Sequence, residues 1–588
     1  MAAAQAPESG HALRSVCLFA VLLAARAATL VGRDVPVSPW TPLAYLWQDV
    51  LVALLFFVVD SRLKRPRVAW IVYAALVAYV AINVPVTRVV SSPLTWTVLR
   101  AARGPLADAI LHYVTPVNLA ALAVPVVVGI ALPLLLRRRR LQAPRLALAA
   151  ALVVVVAGPV ATSRLDTRGA HRNAFGALAA TSFSRLSAAR GAEEDWRASP
   201  FESRPGDDLS RLRGSMHGRN VILVILESTG ARHLGLYGAT PDPMPTLTAL
   251  AQQAVVFERA YAVYPESIKG LFATLCSQYP AFDTAPEIYA DVACTALPST
   301  LRAAGYRTAL FHSGRFVYLG MRPVIERRGF DLMEDAGSIG GHLDSSFGVD
   351  DGSTVRRVLQ WIDSLDGKSP FFVAYLPTSG HNPYVTSVPG PFRKDQDFWR
   401  YMNALHEGDE ALRALVEGLR SRGLAENSLF VVFGDHGEAF GEHAGNFAHT
   451  FHVYEENVRV PLVMAAPGAI AQPQRVGNIA SVIDAAPTIL DLLGLHAEPS
   501  HQGTSLLAAD SRMALFYTDY SIGWLGLADG CWKYLYEIDS QRSHLFDLCT
   551  DPGETRERTT DHADRVARYR DRVVAWARTQ KDRIQRSH

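Results

Sequence analysis

An all-α bundle of five transmembrane helices, followed by an α/β domain with a mainly parallel sheet flanked by helices, is the fold class that this 588-residue sequence predicts. Three observations predict it. Apolar residues crowd into the first 162 positions as five runs of membrane-spanning length. Beyond residue 218, short continuous apolar runs alternate with helical patterns, as in sheets covered on both faces. Four of those runs end in Glu, Asp or His, and ligands of such sheets bind beyond the carboxyl ends of the strands.

The five runs cover 15–32, 41–59, 68–86, 114–136 and 146–162, each 17 to 23 residues long. Arg62, Lys64, Arg65 and Arg67 follow the second run, and Arg137–Arg140 with Arg145 follow the fourth. Basic short loops stay in the cytoplasm. The expectation is therefore a multi-pass protein of the cell (inner) membrane, with everything after about residue 163 extracytoplasmic, on the periplasmic side. Arg26 interrupts the first run, and the small residues around it also fit a cleaved signal peptide; a retained helix is the preferred reading. Asp49 lies inside the second run. A structural pair with Arg26, at similar depth, is preferred over a contact with a lipid headgroup or substrate. The loop 87–113, with Trp96, Leu99, Leu106, Ile110 and Tyr113, reads as an interfacial helix.

Hydrophobic residues make up 49% and charged residues 19% of the chain, which excludes a disordered or coiled-coil protein. The net charge of +2 argues against nucleic acid as a partner. The expected organisation is a transmembrane domain at 1–162, a juxtamembrane linker with some helix at 163–217, a catalytic domain at 218–560 and a C-terminal helix at 561–588.

In the catalytic domain, Val221–Leu226 ends in Glu227-Ser228, and Leu429–Phe433 ends in Gly434-Asp435-His436. Pro370–Leu376 leads to His381 and Tyr306–Phe311 to His312, with helical patterns at 355–366 and 402–421. Glu227, Asp435 and His436 offer two carboxylates and an imidazole, a mixed donor set suited to one divalent ion. Zinc or manganese fits best, with magnesium and calcium as further candidates. Ser267 stands just before an apolar helical stretch. It reads either as an N-cap or as a hydroxyl activated at a helix start and a metal. Lys269 is a candidate for balancing anionic charge.

Over residues 218–555 the chain resembles the sulfatase branch of the alkaline phosphatase superfamily. Within that branch it is most similar to membrane-anchored lipoteichoic acid synthases and phosphoethanolamine transferases. The resemblance rests on Glu227, on Tyr401-Met402-Asn403 with Asp409, and on Asp435-His436-Gly437-Glu438. It extends to Gly441-Glu442-His443, Tyr454–Leu462, Asp484–Thr488, Leu545–Leu548 and Asp551-Pro552-Gly553-Glu554. It implies an alkaline-phosphatase-like fold, metal ligands at Glu227, Ser267, Asp435 and His436, and Ser267 as nucleophile. It further implies a substrate-contacting His312, and His381 and His449 as residues that hold the anion or protonate the leaving group; His443 and His452 are weaker candidates.

The departures bear on subclass. Sulfate-ester sulfatases need Pro two places and Arg four places after the nucleophile for conversion to formylglycine, and Lys269 and Leu271 stand there. Ser267 is therefore expected to stay a plain hydroxyl. The resemblance then implies a transferase that moves a phosphorus-containing headgroup, of phosphoglycerol or phosphoethanolamine type, from a phospholipid to an envelope glycan or lipid through a seryl intermediate. The alternative is a sulfatase-like sulfuric or phosphoric ester hydrolase. An inactive binding protein and a transporter are the readings from other classes; the catalytic residues are all present, and the five runs show little internal symmetry. A monomer is expected. Four cysteines lie outside the spans and allow three pairings; Cys276–Cys294 and Cys531–Cys549, each 18 apart, are the local pairs expected in an oxidising compartment.

Overall fold

The computed structural model describes residues 8–101, 107–139, 145–191, 194–201, 206–342, 347–470, 472–510 and 512–587. Leu106 and Arg140 lie outside them. The described residues fall into two compact units. One lies within Met1–Ala101, Ile110–Ser184 and His443–Phe447; the other lies within Ala102–Ala109, Arg185–Glu442 and Ala448–His588.

All five apolar runs are helices: Glu8–Leu30, Thr41–Arg62, Pro66–Val90, Pro116–Leu136 and Arg145–Ser163. Each is long and apolar enough to cross a membrane. The first is packed, with Cys17, Leu18, Val21 and Leu22 buried in one cluster with Phe56, Tyr73 and Val77. Pro133 leaves the carbonyl of Gly129 without its helical N–H, and the Tyr73 hydroxyl donates to it at 3.0 Å. Arg26 and Asp49 form the expected pair, with Nε–Oδ2 and Nη2–Oδ1 both at 3.0 Å. A second pair, Arg14 with Asp60 at 2.9 and 3.0 Å, has the same fork geometry. In place of one interfacial helix, Trp96–Ala101 and Ala107–His112 form two short ones.

The segment 163–217 divides between the units. Ala174–Thr181 is helical in the first. Arg185 and Arg197 belong to the second, paired with Asp283 and Asp484. Buried guanidinium–carboxylate pairs tie the later half of this segment to the second unit, so it is no loose linker.

In the second unit, β1 (Asn220–Leu226), β2 (Ala254–Tyr261), β3 (Arg307–His312), β4 (Leu332–Glu334), β5 (Phe371–Leu376) and β6 (Ser428–Gly434) belong to one nine-stranded sheet. Strands β6, β1, β5, β3 and β4 lie side by side and parallel. Leu462–Ala465 runs antiparallel between β6 and β2. All of β1 is buried. Its alternate side chains enter two cores: Val221, Leu223 and Ile225 on one face, Ile222, Val224 and Leu226 on the other. This is why the strand reads as an unbroken apolar run.

A four-stranded antiparallel meander follows, Ala514–Thr518, Trp524–Asp529, Trp532–Glu537 and Ser543–Asp547. The sequence pattern alone does not separate it from the main sheet. The C-terminal helix Ala563–Ser587 buries Tyr569, Val573, Trp576 and Ile584 in the larger core. Both expected disulfides form, with Cα separations of 5.6 Å for Cys276–Cys294 and 5.2 Å for Cys531–Cys549.

Candidate active site

The parallel register builds the site. Leu226, the last residue of β1, lies opposite Gly434, the last of β6. Glu227 and Asp435 therefore leave adjacent strands together, stitched by the Asp435 N–H donating to the Leu226 carbonyl at 3.1 Å and the Ser228 N–H donating to Asp435 Oδ1 at 3.0 Å. His436 donates through Nδ1 to the Gly437 carbonyl at 3.0 Å, which fixes the tautomer and leaves Nε2 with a lone pair. That Nε2 is buried without a hydrogen-bond partner, 3.5 Å from both Glu227 Oε1 and Asp435 Oδ2. Glycine is needed at 437, because a Cβ there would lie 2.2 Å from the Glu456 carbonyl oxygen. Gly380, at φ +104°, likewise lets its turn approach the Glu227 carbonyl, 2.4 Å from where a Cβ would sit.

Ser267 is the first residue of the helix Ser267–Cys276. It is not the N-cap. Glu266 caps the helix, accepting from the Ile268 and Lys269 amides at 3.1 and 3.4 Å. The Ser267 hydroxyl is thereby left to face the strand ends, where it donates to Glu227 Oε2 at 2.9 Å.

Three further imidazoles surround this group. The His449 ring stacks on His436 with centroids 4.0 Å apart, and its Nδ1 lies 2.6 Å from Glu438 Oε2. The Tyr384 hydroxyl donates to the other Glu438 oxygen. His381 lies 6.4 Å from His449, ring to ring, with its Nδ1 on the Asn382 carbonyl at 2.6 Å. His312 ends β3, opposite Leu376, and its Nδ1 meets the Leu376 carbonyl at 3.1 Å.

Lys269 does not join them. Its Nζ donates to Asp519 Oδ2 at 2.7 Å, buried beside the rings of Tyr264 and Tyr517. Its charge is matched by Asp519, so the expected role in balancing a substrate's charge gives way to holding the helix of Ser267. His452 packs on Tyr454 and Trp524, away from the strand ends, and His443 belongs to the first unit. The structure adds Glu266, Tyr384 and Glu438, to which the sequence reading gave no role. Their signal was position: each lies within three residues of an assigned residue.

Burial disfavours ionisation of Glu227, but His436, His381 and His449 and the Ser267 hydrogen bond outweigh it and bring its carboxyl down to about 2. Burial and the charge of Glu227 push Asp435 well above the usual carboxylate range. The two carboxylates thus compete for one negative charge, a conflict that a divalent ion between them removes. With the unpartnered Nε2 of His436 and the Ser267 hydroxyl, they form a donor set that fits such an ion. Glu438 is pushed up to about 7, chiefly by burial. Burial, then His436, lowers His449 well below the ordinary imidazole range.

Residues 219–495 match the sulfatase family model. Over that region the chain resembles the sulfatase family. Residues 441–570 also match the model described as N-sulphoglucosamine sulphohydrolase, C-terminal. Lipoteichoic acid synthase-like YvgJ of Bacillus subtilis (strain 168) is 25% identical over 316 residues, 50% of this chain and 51% of that protein. Arylsulfatase K of Canis lupus familiaris is 29% identical over 234 residues, 34% of this chain and 42% of that protein. The chain thus spans about half the length of these relatives or less. A solved alkaline phosphatase superfamily protein from Vibrio parahaemolyticus shares the fold, with a TM-score of 0.55, 21% identity, and coverage of 67% of this chain and 94% of that one.

Proposed function

We propose that this chain is a membrane-bound, metal-dependent transferase. It moves a phosphoglycerol- or phosphoethanolamine-type headgroup from a phospholipid to an envelope glycan or lipid through a phosphoseryl intermediate on Ser267. The observation that carries the reading is a serine lacking the downstream Pro and Arg of the formylglycine motif, its hydroxyl bonded to Glu227 beside the unpartnered Nε2 of His436. Five apolar helices and the lipoteichoic acid synthase-like relative support a lipid donor, and the two basic loops support an extracytoplasmic catalytic unit.

A divalent ion held by Glu227, Asp435, His436 and Ser267 would supply Lewis-acid charge for the phosphoryl oxygens. The chain's own residues do the rest. The Ser267 oxygen bonds to phosphorus as the bond from phosphorus to the lipid alcohol breaks. The serine proton is released to water, which returns it when Ser267 departs at the end of the cycle, and the departing alkoxide takes a proton from the imidazole group of His381 or His449. Each has its Nδ1 occupied, so Nε2 is the atom that exchanges the proton. In the second displacement an acceptor hydroxyl attacks phosphorus, gives its proton to that imidazole, and Ser267 departs as the hydroxyl.

The match to a sulphohydrolase C-terminal model favours a second reading, ester hydrolysis. Incubation of the purified protein with labelled phospholipids, followed by peptide mass spectrometry, separates the two. A headgroup adduct on Ser267 is expected. Steady release of sulfate or phosphate from simple esters, with no adduct at any time, would favour the hydrolase.

A further inference from the structure

Among the described residues of the second unit, the large apolar side chains left exposed are Val317, Val385 and Val388, at 65%, 58% and 61%. Single valines scattered over a surface need no explanation. These three are not scattered. Val317 follows His312 on the loop beyond β3, and Val385 and Val388 follow His381 on the loop beyond β5. Strands β3 and β5 are neighbours. Their loops meet where the ring of Tyr318 stands 6.0 Å from that of His381, with Phe347 4.3 Å from the same imidazole. The exposed valines therefore lie on the two loops that border the candidate site.

The second loop is braced. The Ser387 N–H donates to Glu407 Oε2 at 2.9 Å, and Asn403 accepts from the Phe392 N–H at 2.8 Å and donates to its carbonyl at 3.1 Å. Bonds of this kind hold the valines outward, where only an outside partner can cover them. Charge narrows the partner. Across 313–320 and 377–396 the basic residues are Arg315, Arg393 and Lys394, and the one acid is Asp395. Such loops suit an apolar surface that is anionic at its edge. A bilayer is that surface, and it is always within reach. The same chain has five helices long and apolar enough to cross one, and His443–Phe447, which leads into His449, is itself part of the membrane unit.

We propose that Val317, Val385 and Val388 form a rim that seats on the bilayer, the valines among the upper acyl carbons and Arg393 and Lys394 at the lipid phosphates. A phospholipid can then present its headgroup to the site while its acyl chains stay out of water. The inference rests on the lipid-donor reading above, but its test does not read turnover.

The test uses the full-length protein in lipid nanodiscs, with Val317→Cys, Val385→Cys or Val388→Cys carrying a fluorophore. The native cysteines do not compete, since four are paired and Cys17 is buried. Ala414→Cys is the control, exposed on the helix Asp397–Ser421 and ~25 Å along it from Asp397. Nitroxides on the acyl chains are expected to quench the three rim labels at least ~2-fold more than the control, as suits side chains ~5–10 Å below the headgroups. Val385→Asp with Val388→Asp should bring quenching at position 317 down to the control. Equal quenching at rim and control overturns the proposal, as does quenching at 317 that survives both aspartates. Shielding of the rim labels from aqueous iodide without quenching from the lipid overturns it too, and assigns the valines to a protein or glycan partner. Ser267→Ala should be quenched as the wild type is, so failure of seating and failure of the transferase reading are read apart.

Discussion

In the membrane unit, Asp49 and Asp60 each meet an arginine fork. In the second unit, Glu227, Glu266, Asp435 and Glu438 are equally buried, but among the described residues no lysine or arginine side chain is bonded to any of them. The first arrangement is closed: charge and hydrogen bonds are both satisfied, and the pairs hold helices in register. The second is open. Carboxylates crowd around imidazoles, the acids are pushed apart in proton affinity, and one ring nitrogen has no partner. Paired burial marks a structural role; like charges gathered in a dry site mark a place for a cation and for chemistry. The Lys269–Asp519 pair, two residues from Ser267, belongs by this standard with the closed arrangements.

Substitutions can break this contrast, and the largest effect is expected at Ser267. Ser267→Ala should lower turnover by at least ~1,000-fold, as loss of a covalent nucleophile does, while the thermal midpoint stays close to that of the wild type. A variant retaining a tenth of the activity would end the covalent route. The closed pairs should respond in the opposite sense. Asp49→Ala and Asp519→Ala each strand a buried cation and should cost ~3–5 kcal/mol of stability by denaturant titration. A negligible cost at Asp519 would return Lys269 to the list of groups free to meet substrate.

A smaller effect is expected at Glu438. Its carboxylate holds His449 by Nδ1, so Glu438→Ala should lower kcat ~10–100-fold, in keeping with acid–base contributions, with little change in KM. An unchanged kcat would remove His449 from proton transfer. The smallest effect concerns pH. Burial opposes the charge on His544, but hydrogen bonds and charges from Glu537 and Glu557 raise it from 6.5 to about 9. Its folded form binds the proton more tightly than the unfolded chain does. This contribution is fully present below pH 6.5 and is lost as pH rises through about 9. Half-exposed Glu557 weakens the coupling, so a loss of ~2 kcal/mol across that window is expected. His544→Gln should flatten the wild-type dependence; a slope that survives the substitution would assign it to another group.

The sequence by itself determined the five helices, the α/β alternation, the two cysteine pairs and the Arg26–Asp49 lock. Each follows from a local period, a run length or a short separation that the chain carries without help from distant residues. It also brought forward Glu227, Asp435, His436 and Ser267 as candidate site residues, because acids and a histidine recur where apolar strands end. Tertiary structure decided the rest. Whether Ser267 or Glu266 caps the helix depends on which side chain the ends of β1 and β6 attract. Whether Lys269 faces substrate depends on Asp519, 250 residues away. The second half of the expected linker is fixed by Asp283 and Asp484, and the antiparallel meander by pairings between its neighbouring strands. The physical reason is common to these cases. A charged or hydroxyl side chain takes the partner that leaves least buried polarity unsatisfied, and that partner is set by the packing of elements far apart in the chain.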